Sequence, residues 1–138
     1  LLSNLKFASL KLGKAGLNLV LEPLNTRDVP AFFVSRTAQA RSIIEEVGSD
    51  NFHLQHDIYH MQIMEGDLSQ TIEDNFDIIG HIQIADTPGR HEPGTGEINY
   101  PFLFNLLDKL GYQGWIGCEY SPLTTTEAGL GWIDSYLE

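Results

Sequence analysis

Four short apolar segments of this 138-residue chain each end near a polar side chain that could take part in acid/base or metal chemistry. These side chains are Glu22, Asp57, Gln83 and Glu119, and Asp86 stands close behind the third of them. Carboxylates that share a site of low dielectric constant repel one another, and each is driven toward protonation unless a cation lies among them. If the fold brings these groups together, a divalent metal ion is the simplest way to balance their charge.

A set of carboxylate and amide oxygens favours Mg²⁺ or Mn²⁺, because zinc prefers nitrogen and sulfur ligands. Two further side chains could reach the same place. His60 follows Asp57 by three residues, and Arg90 lies in the glycine-rich loop after the third segment, where its guanidinium could bind a substrate carboxylate. Each of these residues also has a structural interpretation, since strand-end carboxylates often cap loops, lone histidines are often packed, and loop arginines are often solvated.

The apolar segments are short and rich in branched residues, and turn-forming residues bound them, which is typical of buried strands. They cover residues 17–25, 51–57, 80–86 and 115–120. Apolar residues at helical spacing predict a helix that ends near Gly13 or Gly16, helices over 29–47 and 71–76, and a helix from Tyr100 that stops at Gly111. Strands that alternate with helices indicate consecutive βα units in a parallel sheet.

Successive side chains of a strand point to opposite faces, and this alternation tests whether the polar groups can meet. In every predicted strand the Glu, Asp or Gln lies on the more polar face, while residues such as Leu21, Leu54 and Ile84 form a continuous apolar face. The apolar face suits helices packed against the sheet, so the polar face lines an interior or a mouth. Parallel α/β folds place their sites at strand ends, and the four polar groups are expected to converge there.

The composition is that of one soluble globular unit, with 42% hydrophobic and 20% charged residues. A formal charge of −11 disfavours nucleic acid and anionic membranes as partners. No apolar run approaches the ~18 residues of a membrane span and no signal peptide is recognisable, so a cytoplasmic location is expected. The one cysteine, Cys118, lies in a strand-like apolar run and is predicted to be a small buried residue. A start without Met, inside a predicted helix, suggests a chain that begins partway through a larger unit.

The stretches LEPLNTRDVPAFF, LQHDIYHMQIMEGDL, IGHIQIADTPGRHEPGTGEINY and GWIGCEYSPLTTTEAGL occur in this order along the chain. Together they resemble the hydroxypyruvate isomerase family, within the xylose isomerase-like (β/α)8 barrel superfamily. The resemblance implies that Glu22 and Glu119 are a pair of catalytic glutamates that also bind the metal. It further implies that Asp57 and Gln83 are the other two metal ligands. Related sugar epimerases commonly carry histidine where this chain has Gln83.

The reaction implied by the resemblance interconverts hydroxypyruvate and tartronate semialdehyde through an enediolate. One glutamate removes a proton from the carbon that bears the hydroxyl group, and the same or the opposite glutamate returns it to the neighbouring carbon, while a divalent metal, Mg²⁺ or Mn²⁺, polarises the carbonyl. His60 and Arg90 match positions that contact substrate in the related sugar epimerases. Which glutamate acts as the base is left open.

An eight-stranded barrel needs about 250 residues, and this chain supplies four units that resemble the second half of one. Residues 1–138 are therefore expected to form a single domain, the C-terminal half of a (β/α)8 TIM barrel. The expected partners are a small hydroxy-keto acid substrate and a second copy or another half-barrel, which would cover the exposed sheet edges. A catalytically silent half-barrel with an assembly or regulatory role is an alternative, and an endonuclease-type relative is disfavoured by the negative charge.

Overall fold

A computed structural model describes residues 1–137 and contains a four-stranded sheet. The strands are β1 (Leu19–Leu21), β2 (Phe52–Asp57), β3 (Ile79–Ile84) and β4 (Ile116–Cys118). Neighbouring strands are parallel, and their order in the sheet follows the chain, β1-β2-β3-β4. The predicted parallel sheet of consecutive βα units is therefore confirmed, although β1 and β4 are shorter than the apolar segments that contain them.

The helices of the described residues are α1 (Leu2–Gly13), α2 (Thr37–Val47), α3 (Ile58–Met64), α4 (Leu68–Asn75) and α5 (Tyr100–Leu110). Two 3₁₀ helices cover Phe76–Ile78 and Ala128–Tyr136. Gly48 and Gly111 stop α2 and α5 in the left-handed conformation, with φ of 63° and 77°, as glycine does most easily. Among residues 1–137, no helix has the length and apolar character needed to cross a membrane.

The two faces of the sheet differ as the side-chain alternation predicts. Leu54, Ile82 and Ile84 are fully buried beneath the helices, whereas Val20, on the opposite face, is 37% exposed. In the described part of the chain β1 pairs only with β2 and β4 pairs only with β3, so both edges of the sheet are open. Trp115, which precedes β4, is 85% exposed. The polar face and the two edges are thus accessible, while the helix side forms the core.

The predicted helix over residues 29–47 begins only at Thr37, so its first part is wrong. The segment before it folds back instead, because the Asn25 side chain accepts a hydrogen bond from the Asp28 amide at 2.8 Å and the Leu24 amide donates to the Val34 carbonyl at 3.0 Å. Ala31 adopts a positive φ of 63°, which no helix allows. The apolar residues that suggested a helix here form no buried helical face, since Phe32 and Phe33 are 41% and 74% exposed.

Helix α3 is absent from the sequence-based prediction, and it matters for the site because it starts directly after β2. Its N-cap is Asp57, whose Oδ1 accepts hydrogen bonds from the amides of Tyr59 and His60 at 2.8 and 3.4 Å. An aspartate at this position satisfies amides that a helix start leaves without partners. The abrupt change from strand to helix at one residue hides the helix from a search for apolar periodicity.

Cys118 is exposed, so the prediction of a small buried residue is wrong. The residue lies on β4, which is an edge strand in the described part of the chain, and it lines a cavity of about 350 Å³ together with Ile84, Phe104 and Trp132. Because no neighbouring strand covers the outer side of β4 within residues 1–137, an apolar position of this strand does not become a buried one. The segment is apolar, as predicted, but burial of Cys118 would require a further element packed against the outer side of β4.

Candidate active site

The carboxyl ends of the strands bring four titratable side chains together. One donor atom from each of Glu22, Asp57, His60 and Glu119 lies within 4.8 Å of the other three. Glu22 directly follows β1, Asp57 ends β2, and Glu119 directly follows β4. Because the strands are parallel and in sequence order, the residues that follow them lie side by side along the carboxyl-terminal end of the sheet. We call these four residues the acidic cluster.

Asp57 occupies the most buried position of the acidic cluster, with no exposed side-chain surface. Its Oδ1 caps α3, whereas Oδ2 has no hydrogen-bond partner among the described residues. Burial raises the pKa of this carboxyl to about 6, although the amides of Tyr59 and His60 and the charge of Arg90 act in the opposite direction. Oδ1 of Asp57 thus caps α3, whereas Oδ2 faces the other members of the acidic cluster.

Glu22 lies beside Asp57 with its side chain 24% exposed, and its Oε1 is buried without a hydrogen-bond partner in the described chain. Its pKa is raised to about 7, first by burial and then by the negative charges of Asp57 and Glu119. Arg90 and a hydrogen bond with Gln55 lower the pKa and only partly offset this effect. A carboxyl group with a pKa near neutrality suits proton transfer at neutral pH.

The acidic cluster fits a divalent cation. Two carboxylate oxygens, Glu22 Oε1 and Asp57 Oδ2, are buried within it and have no hydrogen-bond partner among residues 1–137. A buried carboxylate without a partner is costly, and a cation among these groups would remove both the repulsion and the unsatisfied oxygens. Glu22, Asp57 and Glu119 are the residues that would hold such an ion, and carboxylate oxygens are the ligands that Mg²⁺ and Mn²⁺ prefer.

His60 contributes a hydrogen-bond donor to the cluster. Its Nδ1 accepts a hydrogen bond of 3.0 Å from the main-chain amide of Asn25, so in the neutral ring the hydrogen lies on Nε2. That nitrogen lies 3.7 Å from Asp57 Oδ2 and 3.9 Å from Glu22 Oε1. Burial, and then the charge of Arg90, lower the pKa of His60 to about 4. The ring is therefore neutral at pH 7, and its N–H rather than a lone pair faces the cluster.

Arg90 is the cation at the open side of the cluster. Its Nη2 donates a hydrogen bond of 2.7 Å to Glu119 Oε2 and lies 3.9 Å from Asp57 Oδ2. The guanidinium also lies over the ring of Tyr59, with 4.9 Å between its central carbon and the ring centroid. The side chain of Glu119 is 50% exposed. Charge in the cluster is thus balanced on one side by arginine and left unbalanced around Glu22 and Asp57.

Gln83 is the neighbour of Asp57 across the sheet. It is the register partner of Asp57 on β3, and its Oε1 accepts a hydrogen bond from the side chain of Gln55. Coordination of a metal by Gln83 would require its oxygen to be shared with Gln55, and the ligand role of Gln83 stays a prediction. Gln55 itself was not predicted as a site residue, although it has the same strand parity as Asp57.

A loop that follows β3 positions Arg90 against Glu119. Asp86 is buried, and its carboxylate accepts hydrogen bonds from the amides of Ile98 and Gly94 at 3.0 and 2.9 Å, which closes the loop on itself. The Arg90 carbonyl accepts a hydrogen bond of 2.9 Å from the amide of Ser121, two residues after Glu119. The loop therefore ties the end of β3 to the end of β4. Sequence reasoning noted Asp86 as polar but missed this role.

A family described as xylose isomerase-like TIM barrel matches residues 1–136 of the chain. Among curated relatives, hydroxypyruvate isomerase of Escherichia coli is 52% identical over 99% of this chain and 53% of its own length. A 2-oxo-tetronate isomerase of Cupriavidus necator is 50% identical over 99% of this chain and 52% of its own length. The chain thus spans about half the length of the curated relatives it matches.

Solved structures show the same half-length similarity. A structure described as AP endonuclease, family 2, from Brucella melitensis superposes with a TM-score of 0.95 at 44% identity, over 98% of this chain and 52% of that one. A 3-keto-D-glucoside 4-epimerase from Escherichia coli superposes with a TM-score of 0.87 at 30% identity, over 97% of this chain and 52% of that one. Four parallel βα units that match half of longer chains are a half barrel.

Proposed function

The chain belongs to the xylose isomerase-like TIM barrel family, and from this premise we propose that it carries the proton-transfer site of an isomerase of 3-hydroxy-2-oxo acids. The half barrel holds the acidic cluster, and hydroxypyruvate is the substrate we favour, with tartronate semialdehyde as the product. The observation that carries the proposal is the convergence of Glu22, Asp57 and Glu119 within 4.8 Å of one another, together with two buried carboxylate oxygens that have no partner in the described chain.

The substrate class follows from what the names of the relatives share. One relative is named hydroxypyruvate isomerase and the other 2-oxo-tetronate isomerase. Both names describe a carboxylate, a neighbouring oxo group and a hydroxyl group on the next carbon. Isomerisation of such an acid moves one proton from the hydroxyl-bearing carbon to the oxo carbon and a second from the hydroxyl oxygen to the oxo oxygen, and no oxidant or reductant is consumed. The net change is the exchange of the hydroxyl and oxo positions.

Glu22 is the residue to which we assign removal of that proton. Its Oε1 lacks a partner among the described residues, and its pKa is raised to about 7, mainly by burial. A base with this pKa accepts a proton readily at neutral pH and can release it again. Glu119 is engaged by Arg90 through Oε2, and we assign it to the opposite end of the proton transfer. A divalent ion held by the cluster would stabilise negative charge on the substrate oxygens.

His60 and Arg90 recognise the substrate in this proposal. The Nε2–H of His60 faces the cluster and can donate to a hydroxyl or oxo oxygen of the acid, which places the adjacent carbon near Glu22. Arg90 can bind the substrate carboxylate through two parallel N–H groups, as guanidinium groups do with carboxylates. The neutral His60 would thus bind an uncharged oxygen of the substrate, and the permanently charged Arg90 would bind its carboxylate.

A second half of a barrel is the protein partner that we propose. Both sheet edges are open within residues 1–137, and the side chain of Glu119 is 50% exposed, so the site lacks walls that exclude water. Four further parallel βα units, from another chain or a second copy, would pair with β1 and β4 and enclose the site. Light scattering of the purified chain tests this: a stable, cooperatively folded monomer would argue against pairing.

A catalytically silent half-barrel with an assembly role is the second candidate, and the same open edges favour it. The two functions are separable by experiment. Incubation with hydroxypyruvate and Mg²⁺ or Mn²⁺ should yield tartronate semialdehyde, and Glu22→Gln should lower the rate by at least 100-fold, the usual scale for loss of a general base. Glu45→Gln, at an exposed position of α2, is the matched control. Equal rates for Glu22→Gln and the unaltered chain would remove Glu22 from the mechanism.

A further inference from the structure

Arg90 is the one arginine or lysine among the described residues that forms an ion pair with the acidic cluster. Its Nη2 lies 2.7 Å from Glu119 Oε2, 3.9 Å from Asp57 Oδ2 and 3.5 Å from His60 Nε2. The nitrogen therefore forms ion pairs with two of the three carboxylates of the cluster, Asp57 and Glu119, and lies near the neutral ring of His60. A positive charge already occupies the side of the cluster that faces solvent.

This position brings Arg90 into competition with any divalent ion. The carboxylates of Asp57 and Glu119 are shared by both cations, and two positive charges a few ångströms apart repel each other strongly. When Glu22, Asp57 and Glu119 are all ionised their charges sum to −3, and Arg90 supplies only +1, so a divalent ion is the better counter-charge. A carboxylate that a metal binds is also a weaker partner for a guanidinium group.

The structure gives the displaced arginine a second contact. The guanidinium lies 4.9 Å from the centroid of the Tyr59 ring, and the Tyr59 hydroxyl is fixed by a hydrogen bond of 2.6 Å to Asp28. Cations bind favourably over aromatic faces. The main chain of Arg90 is held by the amide of Ser121, so the side chain can change partner while the loop stays in place. The guanidinium already contacts the Tyr59 ring while it pairs with Glu119, so this contact remains when Glu119 is lost as a partner.

We propose that Arg90 acts as a placeholder cation, which pairs with Glu119 in the metal-free protein and is displaced from it when a divalent metal binds the acidic cluster. The displaced guanidinium is then free for the carboxylate of the substrate, so the metal enters before the acid. The inference rests on the proposed function for the kind of metal and the class of substrate. In the alternative role, Arg90 promotes metal binding because it orients Glu119 as a metal ligand.

The two roles predict opposite effects on metal affinity, which can be measured without turnover. Titration calorimetry with Mn²⁺ at pH 7.5 should give a dissociation constant about tenfold lower for Arg90→Gln and Arg90→Met than for the unaltered chain, on the usual scale of site coupling. Arg90→Lys, which keeps the charge, should stay close to the unaltered value. Arg41→Gln is the matched control, because Arg41 forms a similarly short ion pair of 2.6 Å with Asp77 away from the cluster.

Each outcome decides the proposal. Tighter Mn²⁺ binding by the two neutral variants, with circular dichroism spectra unchanged, supports displacement. Equal or weaker binding by both neutral variants overturns it while the metal site, and with it the proposed function, stands. Absence of Mn²⁺ binding in the unaltered chain and in both neutral variants overturns the placeholder role and the metal site together. If only one neutral variant folds, its affinity alone decides, since the two differ in polarity and not in charge.

Discussion

The main-chain amide of Asn25 donates a hydrogen bond of 3.0 Å to Nδ1 of His60, which joins the segment after β1 to the first turn of α3. A main-chain amide can only donate, so this single bond decides which ring nitrogen carries the hydrogen. The side-chain amide nitrogen of Asn25, also a donor group, lies 2.7 Å from the same Nδ1. The chain thus presents a donor, Nε2–H, to the acidic cluster.

The protonation of His60 can be observed directly. Nitrogen NMR of the His60 ring at pH 7 should show hydrogen on Nε2 and none on Nδ1, because Nδ1 accepts from Asn25. The ring should stay neutral down to about pH 5, since burial and the charge of Arg90 lower its pKa to about 4. His60→Gln assigns the signal by its loss. A ring that carries its hydrogen on Nδ1, or that titrates near pH 6.5, would contradict this arrangement.

In the metal-free chain, the stability contributed by protonated Glu22 and Asp57 should fall as the pH rises from 5 to 8, whereas neutral His56 and His60, whose pKa values burial lowers to about 4, contribute in the opposite direction up to about pH 6.5. The pKa of Glu22 is raised from 4.5 to about 7 and that of Asp57 from 3.8 to about 6, in both cases mainly by burial. The folded state therefore keeps protons that the unfolded state has already released, and its advantage disappears as the pH passes 6 and then 7.

Urea unfolding at pH 5 and pH 8 checks this pH dependence. Glu22→Gln removes one of the two carboxyl groups but neither histidine, so the difference in the free energy of unfolding, pH 8 minus pH 5, should be more positive than in the unaltered chain. Glu45→Gln changes an exposed glutamate and should leave the difference as it is in the unaltered chain. An equal pH 8 minus pH 5 difference in Glu22→Gln and in the unaltered chain would show that Glu22 does not carry a raised pKa.

Two substitutions of Asp57 should separate the roles of its two oxygens. Asp57→Asn retains a side chain that caps helices well, whereas Asp57→Ala removes the cap of α3 and should cost about 1 kcal/mol more in stability. Both variants should lose the stabilisation by Mn²⁺, because a carboxylate oxygen of the cluster is gone. Thermal unfolding with and without Mn²⁺ measures both effects. Full stabilisation of the Asn variant by Mn²⁺ would remove Asp57 from the metal site.

Gly96→Ala should loosen the loop that positions Arg90. A Cβ atom at this glycine would collide with the carbonyl oxygen of Thr87 and with Asp86 Oδ1, which closes the loop. The expected result is a loss of about 1–3 kcal/mol in stability, as for overpacked positions, and weaker binding of the acid substrate. Gly131→Ala is the control, since no atom lies within 4 Å of its Cβ position. Equal unfolding midpoints for the two variants would contradict the tight packing at Gly96.

Sequence patterns were sufficient for the sheet because its strands follow from local rules. Apolar segments bounded by turns gave the four parallel strands, and alternation placed Asp57 and Gln83 on the open face. The same rules failed between Asn25 and Thr37, where side-chain and main-chain hydrogen bonds hold a loop whose apolar spacing mimics a helix. They also failed at α3, since a helix that starts on the last residue of a strand leaves no separate capping signal.

The contacts within the site lie beyond sequence patterns for a different reason. The bond between Asn25 and His60 joins residues 35 positions apart, and the closure of the Asp86 loop depends on the path of the main chain. The burial of Cys118 was predicted wrongly because it depends on which strand lies at the edge of the sheet. Residue type and alternation give the candidates, and tertiary contacts decide their protonation and partners.

Glu22, Asp57, His60 and Glu119 all lie on one contiguous run of four βα units. Under the proposed function, a run of this kind can be joined to different second halves of a barrel without moving an acid, a base or a metal ligand. Substrate preference would then be set by the opposite wall of the pocket, which can change independently of this run.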